Sequence, residues 1–82
     1  LKEFLLYLKR ARELGMGIEI YIKLPNLMFP EVIYNPPENI EEKIKYYQNA
    51  YNEELQLKVN SDVAIVDYKV TNKKMFKGEN KI

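Results

Sequence analysis

The side chains of this chain that could carry out chemistry are carboxylates, lysines, tyrosines and two hydroxyls, because His and Cys are both absent. Ser61 and Thr71 are the only aliphatic hydroxyl nucleophiles, and both lie in segments predicted to be turns. An activated serine needs a base within hydrogen-bonding reach and a third group that orients that base. No such arrangement can be read around either residue, so the sequence predicts a non-enzymatic protein without catalytic residues.

Paired carboxylates are the next candidates, since they can bind divalent cations. Glu41-Glu42 and Glu53-Glu54 are adjacent, however, and adjacent side chains on a helix diverge by about 100°. Glu38 and Glu42 have a better spacing, but acidic residues also suit a helix N-terminus without any metal. None of the three glycines lies in a phosphate-binding loop. We therefore expect no metal site and no cofactor.

Composition limits the class of protein. The net charge of +1 is too small for the long-range field of a dedicated nucleic-acid binder. The absence of Cys in a chain of 82 residues favours a reducing, cytoplasmic setting, because small secreted domains often need disulfides. No apolar run approaches the roughly 18 residues of a membrane span, which predicts a soluble protein. Residue 1 is Leu rather than Met, which indicates a missing or processed N-terminus.

The elements that must position any site begin with two segments of different period. Apolar residues in 1–13 recur at spacings of three and four, which predicts a first helix that ends near Gly15. Residues 18–24 alternate between apolar and polar, which predicts a strand ended by Pro25. The short run 31–34 is predicted to return as its antiparallel partner.

The segment after residue 38 admits two interpretations. Asn39 suits a helix N-cap, and an apolar stripe steps from Ile40 to Val59 at spacings of three and four. This stripe favours one long second helix. The alternative ends the helix near Asn52 and makes residues 55–59 an alternating strand, which the pattern also permits.

Residues 63–70 are rich in β-branched side chains and predict a third strand. The predicted fold is α+β, in the order α-β-β-α-β, with two helices packed on one face of a small three-stranded sheet. It forms a single domain at residues 1–70, followed by a flexible basic tail at 71–82. The predicted core contains Ile20, Ile22, Ile44, Tyr47 and Val66.

Candidates for partner binding are the apolar and aromatic side chains that this fold leaves uncovered. The loop of residues 25–30 carries three consecutive apolar residues between prolines, and at least one of them is expected to fold back over the core. Two further candidates are predicted on the uncovered face of the sheet and one on the second helix, away from its buried stripe. The complete set is Tyr21, Leu27, Met28, Phe29, Tyr46 and Ile65.

The segment PENIEEKIKYYQNAYN, residues 37–52, and the abundance of Asn, Ile, Lys and Tyr resemble the small accessory proteins encoded by phages and prophages of low-GC Gram-positive bacteria. The resemblance implies binding to host or phage proteins, sometimes as an inhibitor, and identifies no site residue. We therefore expect an accessory protein that acts by protein–protein binding, including self-association as a homodimer. The alternative is nucleic-acid association through the basic tail, by Lys73, Lys74 and Lys77.

Overall fold

A computed structural model describes residues 1–72, which form an α+β domain. Its elements are α1 (Lys2–Leu14), β1 (Gly17–Lys23), β2 (Glu31–Asn35), a 3₁₀ turn (Pro37–Asn39), α2 (Ile40–Ala50), β3 (Gln56–Leu57) and β4 (Asn60–Thr71). The sheet is antiparallel with the strand order β2-β1-β4-β3. The predicted α+β class is confirmed, but within residues 1–72 the sheet has four strands rather than three, and two strands rather than one follow α2. Within residues 1–72, no helix has the length and apolar character needed to cross a membrane.

The first helix ends where the sequence predicts. Gly15 has φ 67°, the left-handed conformation that closes a helix. The backbone N–H of Met16 then donates to the Ala11 carbonyl at 2.9 Å, which satisfies a carbonyl that the helix leaves free. This tight ending turns the chain directly into β1.

The second helix is shorter than the long helix predicted, because it stops at Ala50. Asn52 accounts for the stop: its side-chain oxygen accepts hydrogen bonds from the backbone N–H groups of Glu54 and Gln56, both at 2.9 Å. The backbone N–H of Lys58 donates to the Ala50 carbonyl at 2.8 Å and folds the segment back. The prediction of a helix through Val59 is wrong, and the alternative ending near Asn52 is correct.

Both helices pack on one face of the sheet, as one continuous core shows. Ile18, Ile20 and Ile22 lie at alternate positions of β1 and are buried. We call their side of the sheet the helix-covered face and the side of Tyr21 the open face. The buried residues that complete the core are Phe4, Leu8 and Ala11 of α1, Ile40 and Tyr47 of α2, Tyr51 after it, and Ile65 of β4.

A β-bulge in β4 reverses the predicted sides of two residues. Tyr21 pairs with Asp67, whereas Ile22 pairs with Ile65, so Val66 is an extra residue without its own partner on β1. The alternation of buried and exposed positions therefore shifts by one at this point. Ile65 is only 5% exposed and belongs to the core, while Val66 is 53% exposed. The predicted placements of Ile65 on the open face and Val66 in the core are both wrong.

Of the other four predicted core residues, three are buried and one is partly buried. Ile20, Ile22 and Tyr47 are buried as predicted. Ile44 is partly buried and packs against the edge of the core. Thr71 belongs to β4 rather than to a tail, and residues 73–82 of the predicted tail, with Lys73, Lys74 and Lys77, lie outside the described residues.

Candidate functional site

The loop between β1 and β2 presents its apolar residues to solvent. Leu27 is 54% exposed, Met28 91% and Phe29 76%. The backbone N–H of Leu27 donates to the Leu24 carbonyl at 3.3 Å and forms the first turn of the loop. No side chain of the three is buried, so the expectation that one of them folds back over the core is wrong. Exposed apolar groups of this size are typical of interaction sites.

Strand β2 continues this apolar surface along the edge of the sheet. Among the described residues it pairs with β1 alone, so its other side has unpaired backbone groups. Val32 lies opposite Tyr21 on the open face and is 50% exposed. Ile33 lies opposite Ile20 on the helix-covered face, yet it is 38% exposed because the helices do not fully cover this edge.

These side chains make up the apolar end of this sheet edge: they follow one another along a single loop and its strand, and Val32 and Ile33 lie on opposite faces of the sheet there. We call it the β2-end surface. Its only charged neighbour between Leu24 and Asn35 is Glu31. Its members are Leu27, Met28, Phe29, Val32 and Ile33.

The far end of β2 is anchored in the core by a polar contact. Asn35 is buried, and its side-chain amide donates to the Tyr47 hydroxyl at 3.3 Å. Tyr47 in turn packs edge-to-face on Phe4, with ring centroids 5.1 Å apart. A buried polar group costs free energy unless it is paired, so this contact holds the end of β2 against α2. The exposed edge is therefore a firmly positioned strand.

The open face of the sheet differs from the β2-end surface because charged side chains contact the Tyr21 side chain there. The Tyr21 hydroxyl donates to the Glu19 carboxylate at 3.2 Å, and the Lys69 ammonium lies 5.7 Å from the centre of the Tyr21 ring. Tyr34 lies over Gly17, where any added Cβ would collide with its ring. Tyr21 thus lies one strand inward from the β2-end surface, next to Val32.

The remaining predicted partner-binding residues lie elsewhere. Tyr46 is half exposed on α2, in the helix layer on the opposite side of the sheet from Tyr21. Its ring packs edge-to-face on Tyr47 at 5.1 Å, and the Lys43 ammonium lies 5.5 Å from its centre. Ile65 is in the core. The structure therefore brings together the three loop residues, with Tyr21 nearby, and leaves Tyr46 and Ile65 apart from them.

Val32 and Ile33 are the surface residues that the sequence did not reveal. The alternation of apolar and polar residues shows which strand positions share a face, but it carries no information on the order of strands in a sheet. An edge position is decided by the tertiary pairing of β1 with β4 on its other side. The available signal was the pair of prolines, Pro30 and Pro36, on either side of the strand, since proline is confined to edges and strand ends.

The buried tyrosines are not poised for acid–base chemistry near neutral pH. Burial raises the pKa of Tyr51 to about 12, helped by the nearby Tyr46 and Tyr47 hydroxyls. Burial also raises the pKa of Tyr47, although the hydrogen bond from Asn35 opposes this effect. Both phenols therefore remain neutral at physiological pH.

The hydroxyl and carboxylate candidates do not converge on one site. Ser61 and Thr71 lie near opposite ends of β4, so they are separated by almost the full length of the strand. Within residues 1–72 there is no group of three or more acidic residues able to hold a metal ion. These side chains form no catalytic constellation in the part of the chain that the structure describes.

A second apolar region lies between α1 and β4. Leu6, Tyr7, Leu14 and Val70 line a shallow groove of about 480 Å³. Unlike the β2-end surface, this groove has charges of both signs along it, and its backbone groups are already paired within the helix. Its charged lining residues are Lys9, Arg10 and Glu13.

Comparison of the chain with protein-family models, with curated proteins and with solved structures finds no match. Within residues 1–72, the β2-end surface combines exposed apolar side chains with an unpaired strand edge. Each of these features is costly to leave in water.

Proposed function

We propose that the chain is a non-enzymatic protein-binding domain and that the β2-end surface is its contact region. The observation that carries this proposal is the exposure of five large apolar side chains between residues 27 and 33, from 38% at Ile33 to 91% at Met28. Clusters of exposed large apolar side chains are typical of protein contact sites. Tyr21, next to Val32, extends the contact region onto the open face.

The chemistry of the surface favours a protein over a nucleic acid. The cores of protein interfaces are depleted in charge and enriched in Met and aromatic residues, which describes Met28 and Phe29. Nucleic-acid surfaces instead need Lys and Arg to neutralise phosphates. The segment from Leu24 to Asn35 contains one charged residue, Glu31, and that residue is acidic.

An accessory role in a phage or prophage belongs to the same proposal. It is supported by the resemblance of residues 37–52, which form the 3₁₀ turn, α2 and the first residues after it. These residues lie in the helix layer and are not part of the β2-end surface. The protein-binding proposal therefore stands on the surface alone and does not depend on the origin of the chain.

Site-specific photo-crosslinking tests the proposed contact region. A benzophenone amino acid in place of Met28 should give a discrete adduct with one protein, because Met28 is the most exposed apolar residue described. The adduct should disappear when Leu27→Ser and Phe29→Ser are added. A matched control carries Leu6→Ser and Leu14→Ser, which remove two similarly exposed residues from α1 and should leave the adduct unchanged.

The same experiment can contradict the proposal. A benzophenone in place of Leu6 samples the groove on α1. If this position gives the discrete adduct and position 28 gives none, the contact region lies on α1 and the assignment to the β2-end surface is wrong.

A further inference from the structure

We infer that the occupant of the β2-end surface is a second copy of the chain, with the two β2 strands paired antiparallel about a two-fold axis at Ile33. This inference rests on the proposed function and deepens it by naming the partner. The two four-stranded sheets would then form one continuous antiparallel sheet with all helices on one face.

The first argument is that β2 is a weakly protected edge. Proteins usually protect edge strands with lysines, bulges, inward charges or very short length. Strand β2 runs for five residues without a bulge and without a lysine. The prolines lie outside it, at positions 30 and 36. Within residues 1–72 nothing pairs with its outward backbone groups, so they are available to another strand.

The opposite side of the sheet provides the contrast. Strand β3 is only two residues long, and beyond it the edge of β4 contains the bulge at Val66. The charged residues Asp67 and Lys69 lie on this edge, and the Asp67 carboxylate accepts a hydrogen bond from the backbone N–H of Tyr68 at 2.8 Å. One edge is thus protected by several devices, whereas the β2 edge carries a single charge, Glu31, at its first residue and opposite Ile22.

The second argument is that β2 is self-complementary. With the axis at Ile33, Glu31 lies opposite Asn35 of the second copy, Val32 opposite Tyr34, and Ile33 opposite Ile33. No like charges face each other, and a Val–Tyr pair is of the β-branched–aromatic kind that stabilises antiparallel strands. Moving the axis to residue 32 or 34 would pair only residues 31–33 or 33–35. The register at Ile33 pairs the whole strand.

The third argument is that this register also covers the exposed apolar loop. Extending the pairing beyond the strand sets Pro30 opposite Pro36 of the second copy and Phe29 opposite Pro37. Phe29 would therefore pack on the proline segment that precedes α2 of the other chain. The two-fold axis repeats this contact of Phe29, so the loops of both copies are covered. The exposed loop and the exposed edge are then parts of one interface.

Disulfide trapping tests the register, because the chain contains no cysteine of its own. Residues directly opposite in antiparallel strands have Cα atoms about 4.5–5.5 Å apart, which lies within the range a disulfide can bridge. Oxidised Ile33→Cys should run as a covalent species of twice 9.8 kDa. Val66→Cys, also well exposed but on β4, is the matched control and should remain at the mass of one chain. Equal crosslinking of the two variants, or none at position 33, would overturn the inference.

A charge-swap experiment tests the axis without a covalent bond. Sedimentation equilibrium at about 100 μM should show a dimer for the unaltered chain, because dissociation constants of tens of micromolar are visible at this concentration. Ile33→Lys and Ile33→Glu each bring like charges together across the axis and should give monomers, whereas their equimolar mixture should restore the dimer. Circular dichroism checks that both variants are folded. If either variant is unfolded, the disulfide experiment at position 33 decides the inference instead.

The outcomes separate this inference from the proposed function. If the unaltered chain is monomeric at this concentration, the homodimer is wrong. A foreign adduct at position 28 would then still support protein binding through the β2-end surface. If the dimer forms but no adduct, foreign or self, appears at position 28, the loop is not part of the interface and the third argument fails.

Discussion

Tyr47 is the residue that connects the strand edge with the helix layer. It accepts the hydrogen bond from Asn35 at the end of β2 and packs on Phe4 of α1. Its ring also lies 5.7 Å from the ring of Tyr51. Three elements are therefore held through one side chain whose polar tip is satisfied and whose ring is buried. Such aromatic pairs add stability beyond the apolar area that they bury.

The burial of Tyr51 predicts a loss of stability at high pH. Its pKa is about 12 in the folded chain and 10.0 for the ordinary side chain. Between these values the unfolded chain loses the proton while the folded chain keeps it, so the free energy of unfolding falls as pH rises. We expect the stability that Tyr51 contributes to be constant below about pH 10 and to decline between about pH 10 and 12 in urea denaturation.

The substitution Tyr51→Phe isolates this effect. The variant should show a shallower decline between pH 10 and 12, because the ionising hydroxyl is absent, while the raised pKa of Tyr47 keeps part of the slope. Measurement of both proteins at pH 7 gives the reference. An unchanged slope in the variant would show that Tyr51 does not contribute to the alkaline transition.

At the scale of the element, the bulge in β4 decides which of two neighbouring apolar residues supports the core. Apolar residues of β4 occupy both alternating sets of positions, Val63 and Ile65 in one and Val66 with Tyr68 in the other. The pattern therefore allows a regular strand to bury either Ile65 or Val66. The extra residue in β4 puts Ile65 on the helix-covered face and Val66 in solvent. The bulge also interrupts the edge that would otherwise be open beyond β3.

Alanine substitutions at these two positions test the bulge. Ile65→Ala should lower the free energy of unfolding by about 2–4 kcal/mol, because it leaves a cavity in the core. Val66→Ala should change it by less than about 0.5 kcal/mol, as for most exposed sites. Chemical denaturation measures both. A larger loss for Val66→Ala than for Ile65→Ala would place the bulge elsewhere.

The segment after α2 is a second element in which local geometry overrides a periodic pattern. Leu55 has φ 64°, a left-handed conformation that is unfavourable for a large side chain. It is held there because its N–H donates to the Asn52 carbonyl at 3.0 Å and its carbonyl accepts from Ile65 at 2.9 Å. These contacts bring β3 alongside β4 and complete the sheet.

At the scale of the whole molecule, charge and apolar surface are separated. On the open face Glu19 lies opposite Lys69 and Tyr21 opposite Asp67, so polar pairs cover the middle of the sheet. Apolar exposure is concentrated at the β2 end instead. Association is therefore expected to proceed from the β2 edge of the sheet, while the middle of the open face around Glu19 and Lys69 remains in water.

This separation predicts how association responds to salt. An interface built from the β2-end surface should lose little affinity between 50 and 200 mM salt, because it neutralises no phosphates. Nucleic-acid binding through Lys73, Lys74 and Lys77 would instead weaken with a slope of about −0.9 per phosphate contact on duplex DNA. Salt titrations of both activities distinguish the two functions. Tight DNA binding that is lost in the triple Ala variant of these lysines would favour the nucleic-acid alternative.

Much of the architecture could be predicted from local patterns. The first helix, its glycine ending, the strand at residues 18–24 and its antiparallel return all follow from residue type and period. The candidate site was partly predictable as well, since Leu27, Met28 and Phe29 stand out as apolar residues between prolines. The placement of Tyr21 on the open face also follows from the alternation of β1.

The sequence by itself determined the α+β class and the apolar loop, because helix and strand periods and proline positions act over a few neighbouring residues. Only the tertiary structure decided that α2 ends at Ala50, that Ile65 rather than Val66 is buried, and that β2 is an edge. Each of these depends on contacts between residues far apart in the chain. Leu55 and Val59 fit both a helical and a strand period, and a bulge shifts the alternation only when a particular partner strand is present.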